Sequence, residues 1–225
     1  QCYATDNIAL RDGNLVLTAQ AENGLAQGRS YTSGRIQSRG KGDFTYGRFE
    51  ARIKLPAGQG SWPAFWMLPS DQTYGTWAAS GEIDVMEAVN LGTPCVVCDG
   101  GQENRIHGSL HFGGTWPQNA STSGLIQLDD YTGFNTYALE WYETEMRWYV
   151  NGTQYSRKTY DQWNSRTAPD DLNAPFDQDF HLIFNLAIGG KWPGPSDGQN
   201  FPRTMEVDYV RVYECDAGGN ACLPD

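Results

Sequence analysis

Long apolar runs are missing from this sequence, since no stretch approaches the roughly 18 residues that a helix needs to cross a bilayer. Helical patterning is also nearly absent, because no long segment keeps an apolar period of 3.6 residues. Positive charge is scarce, with 16 Lys and Arg against 27 Asp and Glu and a net charge of −11. An acidic surface of this kind repels phosphate groups. We therefore expect neither an integral membrane protein nor a protein that binds nucleic acid.

Cysteine is limited to five residues, of which Cys95 and Cys98 lie close together, as do Cys215 and Cys222. A single CxxC does not supply the four ligands of a structural zinc site. It also lies in a loop-like stretch, NLGTPCVVCDGG, whereas a redox CxxC usually opens a helix in a βαβ unit. Two short-loop disulfides are the preferred interpretation, with Cys2 left unpaired. Disulfides form outside the cytoplasm, so we expect a secreted, extracellular protein.

The composition and the alternating pattern of apolar residues predict one large all-β domain. The chain has 225 residues, of which 39% are hydrophobic and 13% aromatic, enough for a sizeable core. Short alternating runs bounded by Gly, Pro, Asn and Asp recur, and the pair Asn151-Gly152 is typical of a hairpin turn. These features predict a single domain over residues 1–225, a β-sandwich or jelly roll of two antiparallel sheets with one face free to form a groove. The predicted strands are Asn14–Ala19, Gly34–Ser38, Gly47–Leu55, Trp62–Leu68, Glu82–Ala88, Ile106–Phe112, Asn135–Tyr142, Met146–Val150, Thr153–Ser156, Phe180–Ile188 and Glu206–Tyr213.

The segment SGEIDVMEAVN carries three acids, Glu82, Asp84 and Glu87. Side chains alternate between the two faces of a strand, so Glu82 and Asp84 share one face and Glu87 falls on the opposite, apolar face. A lone carboxylate in an apolar core is costly. A one-residue bulge near Val85–Met86 would reset the alternation and bring Glu87 to the same face as the other two acids.

Acids gathered in this way could cleave a glycosidic bond. With the bulge, Glu82 and Glu87 are about four strand steps apart, or roughly 13 Å along the backbone. Side chains that lean together could bring their carboxyl groups to about 5–5.5 Å, the separation that retaining glycosidases use. Mutual repulsion and partial desolvation would keep one acid protonated beside an ionised one. A solvated acidic strand and a set of ligands for a hard cation remain the alternatives from these three residues alone.

Tryptophan is concentrated around the acidic segment. In SWPAFWML, Trp62 and Trp66 share one strand face and form a platform roughly 6–7 Å long, comparable to a sugar ring. Trp77 lies shortly before the acidic strand. Indoles stack on the apolar faces of sugars, although each of these residues could instead pack the core. Their combination with three acids favours a carbohydrate-binding cleft.

Seven motifs follow one another in a characteristic order: YTSGRIQS, YGRFEARIKLP, WPAFWMLP, GEIDVMEAVN, HGSLHFGG, FNLAIGGKWPG and MEVDYVRVY. They cover nearly the whole chain and closely resemble glycoside hydrolase family 16, and within it the bacterial laminarinase-like endo-β-1,3-glucanases. The resemblance implies a β-jelly-roll sandwich with a substrate cleft across its concave sheet. This fold agrees with the predicted strands.

The resemblance also implies catalytic roles. Glu82 matches the nucleophile, which forms a covalent glycosyl-enzyme, and Glu87 matches the general acid/base. Asp84 matches the helper that orients the nucleophile and tunes its protonation. The family's bulged motif is ExDxxE and its lichenase-like motif is ExDxE; this chain has the bulged form.

Further residues match the substrate cleft of the family. Arg35 resembles a substrate-binding arginine, whose guanidinium offers several donors to sugar hydroxyls, although a surface ion pair is its alternative role. His111 resembles a histidine at the catalytic cleft, and a core hydrogen bond is its alternative. The resemblance extends to Asn185 and Trp192 as cleft residues, and Trp116 could stack on a sugar. Trp62, Trp66 and Trp77 complete the predicted substrate-binding set.

The resemblance implies a structural calcium ion and reveals one departure from the family pattern. Asp208 resembles a ligand of a calcium site on the convex side, where a backbone carbonyl near Gly13 would join it. Calcium takes six to eight oxygens, and no compact loop here supplies them. Family members usually carry further early strands before the segment that matches QCYATDN, so we expect that an N-terminal strand segment is missing.

The expected function is therefore that of an endo-acting, retaining glycoside hydrolase that cleaves β-1,3-glucosidic bonds in laminarin-type β-glucans by double displacement. We expect a monomer that acts on β-glucan polysaccharides or oligosaccharides and needs no cofactor for catalysis. Within the same family, the alternatives are a mixed-linkage β-1,3-1,4-glucanase and a marine galactan hydrolase. A non-catalytic carbohydrate-binding sandwich would explain the aromatic residues but not the three acids.

Overall fold

The computed structural model describes residues 1–22, 24–25, 28–215 and 222, and these residues contain no α-helix. No helix in the described part of the chain is long and apolar enough to span a bilayer. Single 3₁₀ turns occur at Thr5–Asn7, Asp99–Gly101 and Tyr160–Gln162. The strands are β1 Cys2–Tyr3, β2 Ile8–Arg11, β3 Asn14–Ala21, β4 Tyr31–Ser33, β5 Arg35–Gln37, β6 Asp43–Phe44, β7 Gly47–Lys54, β8 Ser61–Pro69, β9 Glu82–Glu87, β10 Arg105–Phe112, β11 Ala120–Gln127, β12 Phe134–Trp141, β13 Glu145–Val150, β14 Thr153–Thr159, β15 Phe180–Ile188 and β16 Arg203–Tyr213.

These strands form the two sheets of a jelly roll. One sheet has the order β1-β4-β3-β16-β7-β12-β13-β14, with β2 paired to β3. The other sheet has the order β11-β10-β9-β8-β15-β5, with β6 paired to β15. Within the described ranges, every strand pair is antiparallel except β1 with β4. The acidic strand β9 therefore lies inside the second sheet, between β8 and β10, where its outer face can line a cleft.

The hydrophobic core lies between the sheets and follows from strand alternation. On β7, Phe49, Ala51 and Ile53 are fully buried, whereas Arg48 and Glu50, which alternate with them, pair with each other at 2.6 Å on the outer face. The second sheet contributes buried residues such as Phe65, whose ring stacks on a neighbour from β15. A period of two along each strand thus sends one set of side chains inward and leaves the other set for the surface or the cleft.

The sequence predicted the long strands well and the short or polar ones poorly. Phe180–Ile188 matches its prediction, and the other predicted strands are present with shifted ends. The segment Gly34–Ser38 is shorter than expected, with β5 limited to Arg35–Gln37. Strands β1, β2, β4, β6 and β11 were not predicted. The sequence of β11, ASTSGLIQ, is rich in Ser, Thr and Gly because this strand lies at the edge of its sheet and has few buried positions.

Both predicted disulfides are present. Cys95 is bonded to Cys98, and Cys215 is bonded to Cys222. Cys2 is free, as expected. The first of these bonds lies within the loop between β9 and β10, which is the connection that leaves the acidic strand.

Candidate active site

The acidic strand contains the predicted bulge. On β8, Trp66 pairs with Asp84 and Ala64 pairs with Glu87. Two steps along β8 therefore face three steps along β9, so β9 holds one extra residue, within Val85–Met86. The ladder with β10 shows the same shift.

The bulge turns Glu87 to the cleft and keeps the apolar side chains in the core. Ile83, Val85 and Met86 are at most 1% exposed. Glu82 and Glu87 are partly exposed and line the same cavity on the concave face. The expectation that Glu87 joins the other two acids on one face is confirmed by this arrangement.

Each glutamate accepts a hydrogen bond from a tryptophan. The Nε1 of Trp77 donates to Oε2 of Glu82 at 2.7 Å. The Nε1 of Trp62 donates to Oε1 of Glu87 at 2.8 Å. The two indoles were predicted as stacking surfaces, and their N–H groups in addition fix the orientation of the two carboxyl groups.

His111 lies beside the acids on β10, directly opposite Glu82 in the ladder. Its Nε2 is 3.2 Å from Oδ2 of Asp84 and 3.8 Å from Oε1 of Glu82. The imidazole thus bridges the inner acid and the first acid, and it packs against the ring of Trp77 at 5.8 Å between centroids. The predicted cleft position of His111 agrees with this geometry.

Burial makes the three carboxyl groups hard to ionise together. It raises the pKa of Glu82 to about 8, and the charge of Asp84 adds to this shift, while His111 and the Trp77 N–H oppose it. Burial raises the pKa of Asp84 well above its usual range, and the charge of Glu87 adds to it. The pKa of Glu87 is also raised by burial, against the hydrogen bond from Trp62. The cluster therefore retains protons at a pH where ordinary carboxyl groups have lost them.

Three adjoining cavities form one cleft along the concave face. The central cavity, of about 260 Å³, contains Arg35, Trp66 and all three acids. A second cavity, of about 380 Å³, continues past Glu82 and Glu87 towards Trp192. A third, of about 240 Å³, continues on the other side past Arg35 and Trp77. The acids therefore lie in the middle of an extended groove, which suits cleavage within a polymer.

The substrate-binding residues predicted around Trp66 form a connected group. The guanidinium of Arg35 lies 4.9 Å from the centre of the Trp66 ring. The Nε1 of Trp66 donates to Oδ1 of Asn185 at 2.7 Å. All three side chains line the central cavity.

At the other end of the groove, Trp192 packs edge-on against Trp62, with 5.5 Å between ring centroids. It also contacts His107 at 5.0 Å. His107 lines the cavity with Ser109 and His111, and sequence reasoning missed the first two. The alternation on β10 was the available signal, because residues 107, 109 and 111 share one strand face.

Trp116 is placed differently from the other predicted tryptophans. Its side chain is 66% exposed and does not line the three cavities. Its backbone N–H donates to the carbonyl of Trp77 at 3.1 Å, which puts it next to the rim of the cleft. Stacking of Trp116 on a sugar stays a prediction.

The residues at the predicted calcium site do not make a complete set of ligands. Oδ2 of Asp208 accepts a hydrogen bond from Arg52 at 2.7 Å. Asp208 follows Val207, which pairs with Leu15, so it lies beside the turn that contains Gly13. Among the described residues, no group of three His, Cys, Asp or Glu side chains includes Asp208. One carboxylate paired with an arginine supplies only a small part of the six to eight oxygens that calcium takes, and calcium binding stays a prediction.

Comparisons with known proteins show the family to which the chain is similar. The family description "Glycosyl hydrolases family 16" matches residues 1–211. The chain is 43% identical over 225 residues to glucan endo-1,3-beta-glucosidase A1 of Niallia circulans, a match that covers 94% of this chain and 31% of that protein. It is 34% identical to endo-1,3-1,4-beta-glycanase EglC of Rhizobium meliloti, over 93% of this chain and 40% of that protein.

The fold of the chain also matches that of a solved structure. The chain superposes on the laminarinase from Rhodothermus marinus with a TM-score of 0.77 and 39% identity, over 94% of this chain and 81% of that one. The similarity thus extends over the whole sandwich, whereas this chain spans only 31% of the Niallia relative's length.

Proposed function

The chain belongs to glycoside hydrolase family 16, and from this membership we propose that it is an endo-acting, retaining β-1,3-glucanase that cleaves laminarin-type β-glucans. The observation that carries the proposal is the bulged strand β9, which brings Glu82, Asp84 and Glu87 to the middle of one groove. The tryptophans on both sides supply flat apolar surfaces for neutral sugar rings.

The first half of the reaction forms a glycosyl-enzyme. A glucan chain lies along the groove with one glycosidic bond over the acids. Glu87, kept protonated by its raised pKa, donates its proton to the glycosidic oxygen. A carboxylate oxygen of Glu82 attacks the anomeric carbon from the opposite side as the carbon–oxygen bond breaks. The leaving chain departs with the proton, and the remaining sugar is bound to Glu82 as an ester.

The second half releases the sugar with its original configuration. Glu87 is now a carboxylate and takes a proton from a water molecule that enters the place of the leaving chain. The water oxygen attacks the anomeric carbon, and the bond to Glu82 breaks. Two inversions at one carbon give net retention, and both glutamates return to their starting states.

Asp84 and His111 control the charge on the nucleophile. Asp84 is 1% exposed and shares a hydrogen bond with Glu82. When the proton of this pair is on Asp84, Glu82 carries the negative charge and is stabilised by the Trp77 N–H and by His111. While Asp84 keeps its proton it places no negative charge beside Glu82, so the burial of Asp84 removes one of the causes that raise the pKa of the nucleophile.

The location is proposed from the disulfides. Cys95–Cys98 and Cys215–Cys222 support a protein that works in an oxidising, extracellular compartment. Polymeric glucans are too large to enter a cell intact, so an extracellular endo-acting enzyme also matches the open groove.

A mixed-linkage β-1,3-1,4-glucanase is the second candidate. It is favoured by the similarity to EglC, whose name states that linkage. The two activities use the same acids and differ in the sugar contacts away from the cleaved bond, towards Arg39 on one side of the acids and Trp192 on the other.

A substrate panel tests the proposal. Purified protein is incubated with laminarin, curdlan, lichenan and agarose, and products are followed by reducing-sugar release and by NMR of the first anomer formed. We expect laminarin to be cleaved internally, with the β-anomer released first. Glu82→Gln should lower the rate at least about 1,000-fold with an unchanged circular dichroism spectrum.

The control is Glu143→Gln, which removes the charge of an exposed glutamate in the turn between β12 and β13. It should retain the wild-type rate. Cleavage of lichenan alone would favour the second candidate. Near-wild-type turnover in Glu82→Gln, or the α-anomer as first product, would show that the double-displacement assignment is wrong.

A further inference from the structure

The bulge in β9 is held from the core side by a residue of the other sheet. The Nε1 of Trp148, on β13, donates to the backbone carbonyl of Asp84 at 2.8 Å. Trp148 is 1% exposed, so this hydrogen bond is shielded from water. A bulge disturbs the regular strand ladder and leaves backbone groups in need of partners. Trp148 supplies such a partner at the residue where the irregularity begins.

The strand next to the bulge is shaped to admit this indole. On β10, His107 pairs with Glu87 and Ser109 pairs with Asp84, so Gly108 lies opposite the bulged segment. A Cβ on Gly108 would lie 2.7 Å from Nε1 of Trp148 and would also collide with its ring. Only a residue without a side chain therefore allows the indole to reach the Asp84 carbonyl.

Asp84 is consequently fixed on both sides of the sheet. Its carboxyl group faces the cleft, 3.2 Å from His111, and its carbonyl faces the core, where Trp148 donates to it. Asp84 precedes the extra residue, and Glu87 follows it. Loss of the bulge, or its movement past Glu87, would turn Glu87 back to the core face.

We propose that Trp148 is a positioning residue of the active site, whose indole N–H fixes the bulge and thereby the placement of Glu87 and Asp84 relative to Glu82. Trp148 does not touch the substrate and acts through the backbone of β9. The inference rests on the proposed glucanase function, which supplies the reaction to be measured. It differs from a packing role, since packing needs the ring but not the N–H.

The chain contains a matched control for this distinction. Trp141 is also a fully buried tryptophan of the opposite sheet, on β12. Its Nε1 has no hydrogen-bond partner among the described residues. Trp141→Phe therefore removes a similar amount of buried indole as Trp148→Phe does, but it removes no hydrogen bond to the bulge.

The experiment compares Trp148→Phe with Trp141→Phe. We expect Trp148→Phe to lower kcat on laminarin about 10- to 100-fold with KM changed less than about 2-fold, because misplaced catalytic groups affect the reacting bond more than sugar binding. Trp141→Phe should keep kcat within about 2-fold of wild type. In a second variant, β-(3-benzothienyl)alanine replaces Trp148; this amino acid has the shape of tryptophan without the N–H, so the fold is retained and the loss of kcat should recur.

An NMR titration without substrate tests this inference independently of the proposed function. Carboxyl ¹³C signals of Glu82, Asp84 and Glu87 are titrated by NMR in wild type and in each variant. We expect the titration of Glu87 to change in both Trp148 variants and to stay unchanged in Trp141→Phe. If wild type cleaves no glucan, the function is wrong and the titration still tests Trp148. Wild-type kcat and titration in the benzothienyl variant, or equal losses in Trp141→Phe, would overturn the positioning role.

Discussion

Glu82, Asp84 and Glu87 are held in surroundings that disfavour their charged forms. Burial is the main cause for all three, and repulsion between neighbouring carboxylates adds to it for Glu82 and Asp84. The indole N–H groups of Trp62 and Trp77 return part of the lost solvation to the two outer acids. Protons that remain near neutral pH are what general acid catalysis requires, and the same protons link the stability of the fold to pH.

The sign of this linkage follows from the raised pKa of Glu82. Its pKa is about 8 in the folded protein, against an ordinary value of 4.5. The folded state holds this proton more tightly than the unfolded state does. The stability gained in this way is complete below the ordinary pKa and is lost as the pH rises through the folded pKa, up to about 8.

Glu82→Gln should therefore stabilise the protein at high pH. A glutamine stays neutral, so the variant avoids the cost of a buried charge; the gain over wild type should be small near pH 5 and should grow to a few kcal/mol near pH 8, then level off. Thermal unfolding is measured at several pH values for wild type, Glu82→Gln and the exposed control Glu143→Gln. A gain that is the same at every pH, or that shrinks as pH rises, contradicts a raised pKa at Glu82.

Single residues also show how far sequence reasoning reaches. The three acids and most of the cleft tryptophans could be identified from motifs and strand parity. The hydrogen bonds from the indole N–H groups of Trp62 and Trp77 to the glutamates could not be predicted, because side-chain rotamers depend on neighbours from other strands. His107 could have been found, since it shares the face of His111 on β10.

Among the elements, the bulge in β9 was predictable because the regular alternative puts a lone carboxylate in the core. Its anchor was not predictable, because the meeting of Trp148 with β9 depends on how the two sheets pack. The position of the loop that follows β15 and carries Trp192 was not predictable either. Its placement depends on hydrogen bonds that reach across from the end of the acidic segment.

Asn90 helps to hold that loop in place, together with Gln59, whose Nε2 donates to the carbonyl of Pro193 at 2.7 Å. The Nδ2 of Asn90 donates to the carbonyl of Pro193 at 3.0 Å, and its Oδ1 accepts from the backbone N–H of Gly60 at 2.6 Å. Asn90 has a φ of 57°, a conformation that asparagine and glycine tolerate better than other residues. The position of Trp192 beside Trp62 therefore depends on a side chain only three residues after Glu87.

Asn90→Gly should weaken substrate binding more than catalysis. It removes both hydrogen bonds of Asn90 without backbone strain and leaves Gln59 as the other donor to the Pro193 carbonyl, so the loop is loosened and we expect KM on laminarin to rise about 3- to 10-fold with kcat within about 2-fold. Asn90→Asp keeps the acceptor for Gly60 and loses the donor to Pro193, so it isolates the contribution of the second bond. Steady-state kinetics on all three proteins check this. A fall in kcat at constant KM would instead place Asn90 among the residues that support the reacting groups.

At the scale of the whole molecule, the jelly roll could be predicted from strand alternation and turn residues. The order of the strands could not be derived from periodicity, because neighbours such as β7 and β16 are far apart in sequence. The edge strand β11 was also missed, since it has no fully buried position to impose a pattern. The charge balance, by contrast, is read directly from the sequence and acts on the molecule as a whole.

Because the net charge is −11, kcat/KM should not depend on salt for a neutral glucan and should depend on it for a charged glucan. Raising the salt from about 10 mM to about 1 M shortens the Debye length from about 30 Å to about 3 Å and screens the repulsion between the protein and a polyanion. We expect kcat/KM on laminarin to change less than about 2-fold over this range, whereas kcat/KM on carboxymethylated β-1,3-glucan should rise several-fold with salt. Initial rates on both polymers, prepared at matched chain length, test this. Faster cleavage of the charged polymer at low salt would mean that the local field of Arg35 and Arg39 in the cleft outweighs the acidic surface around it.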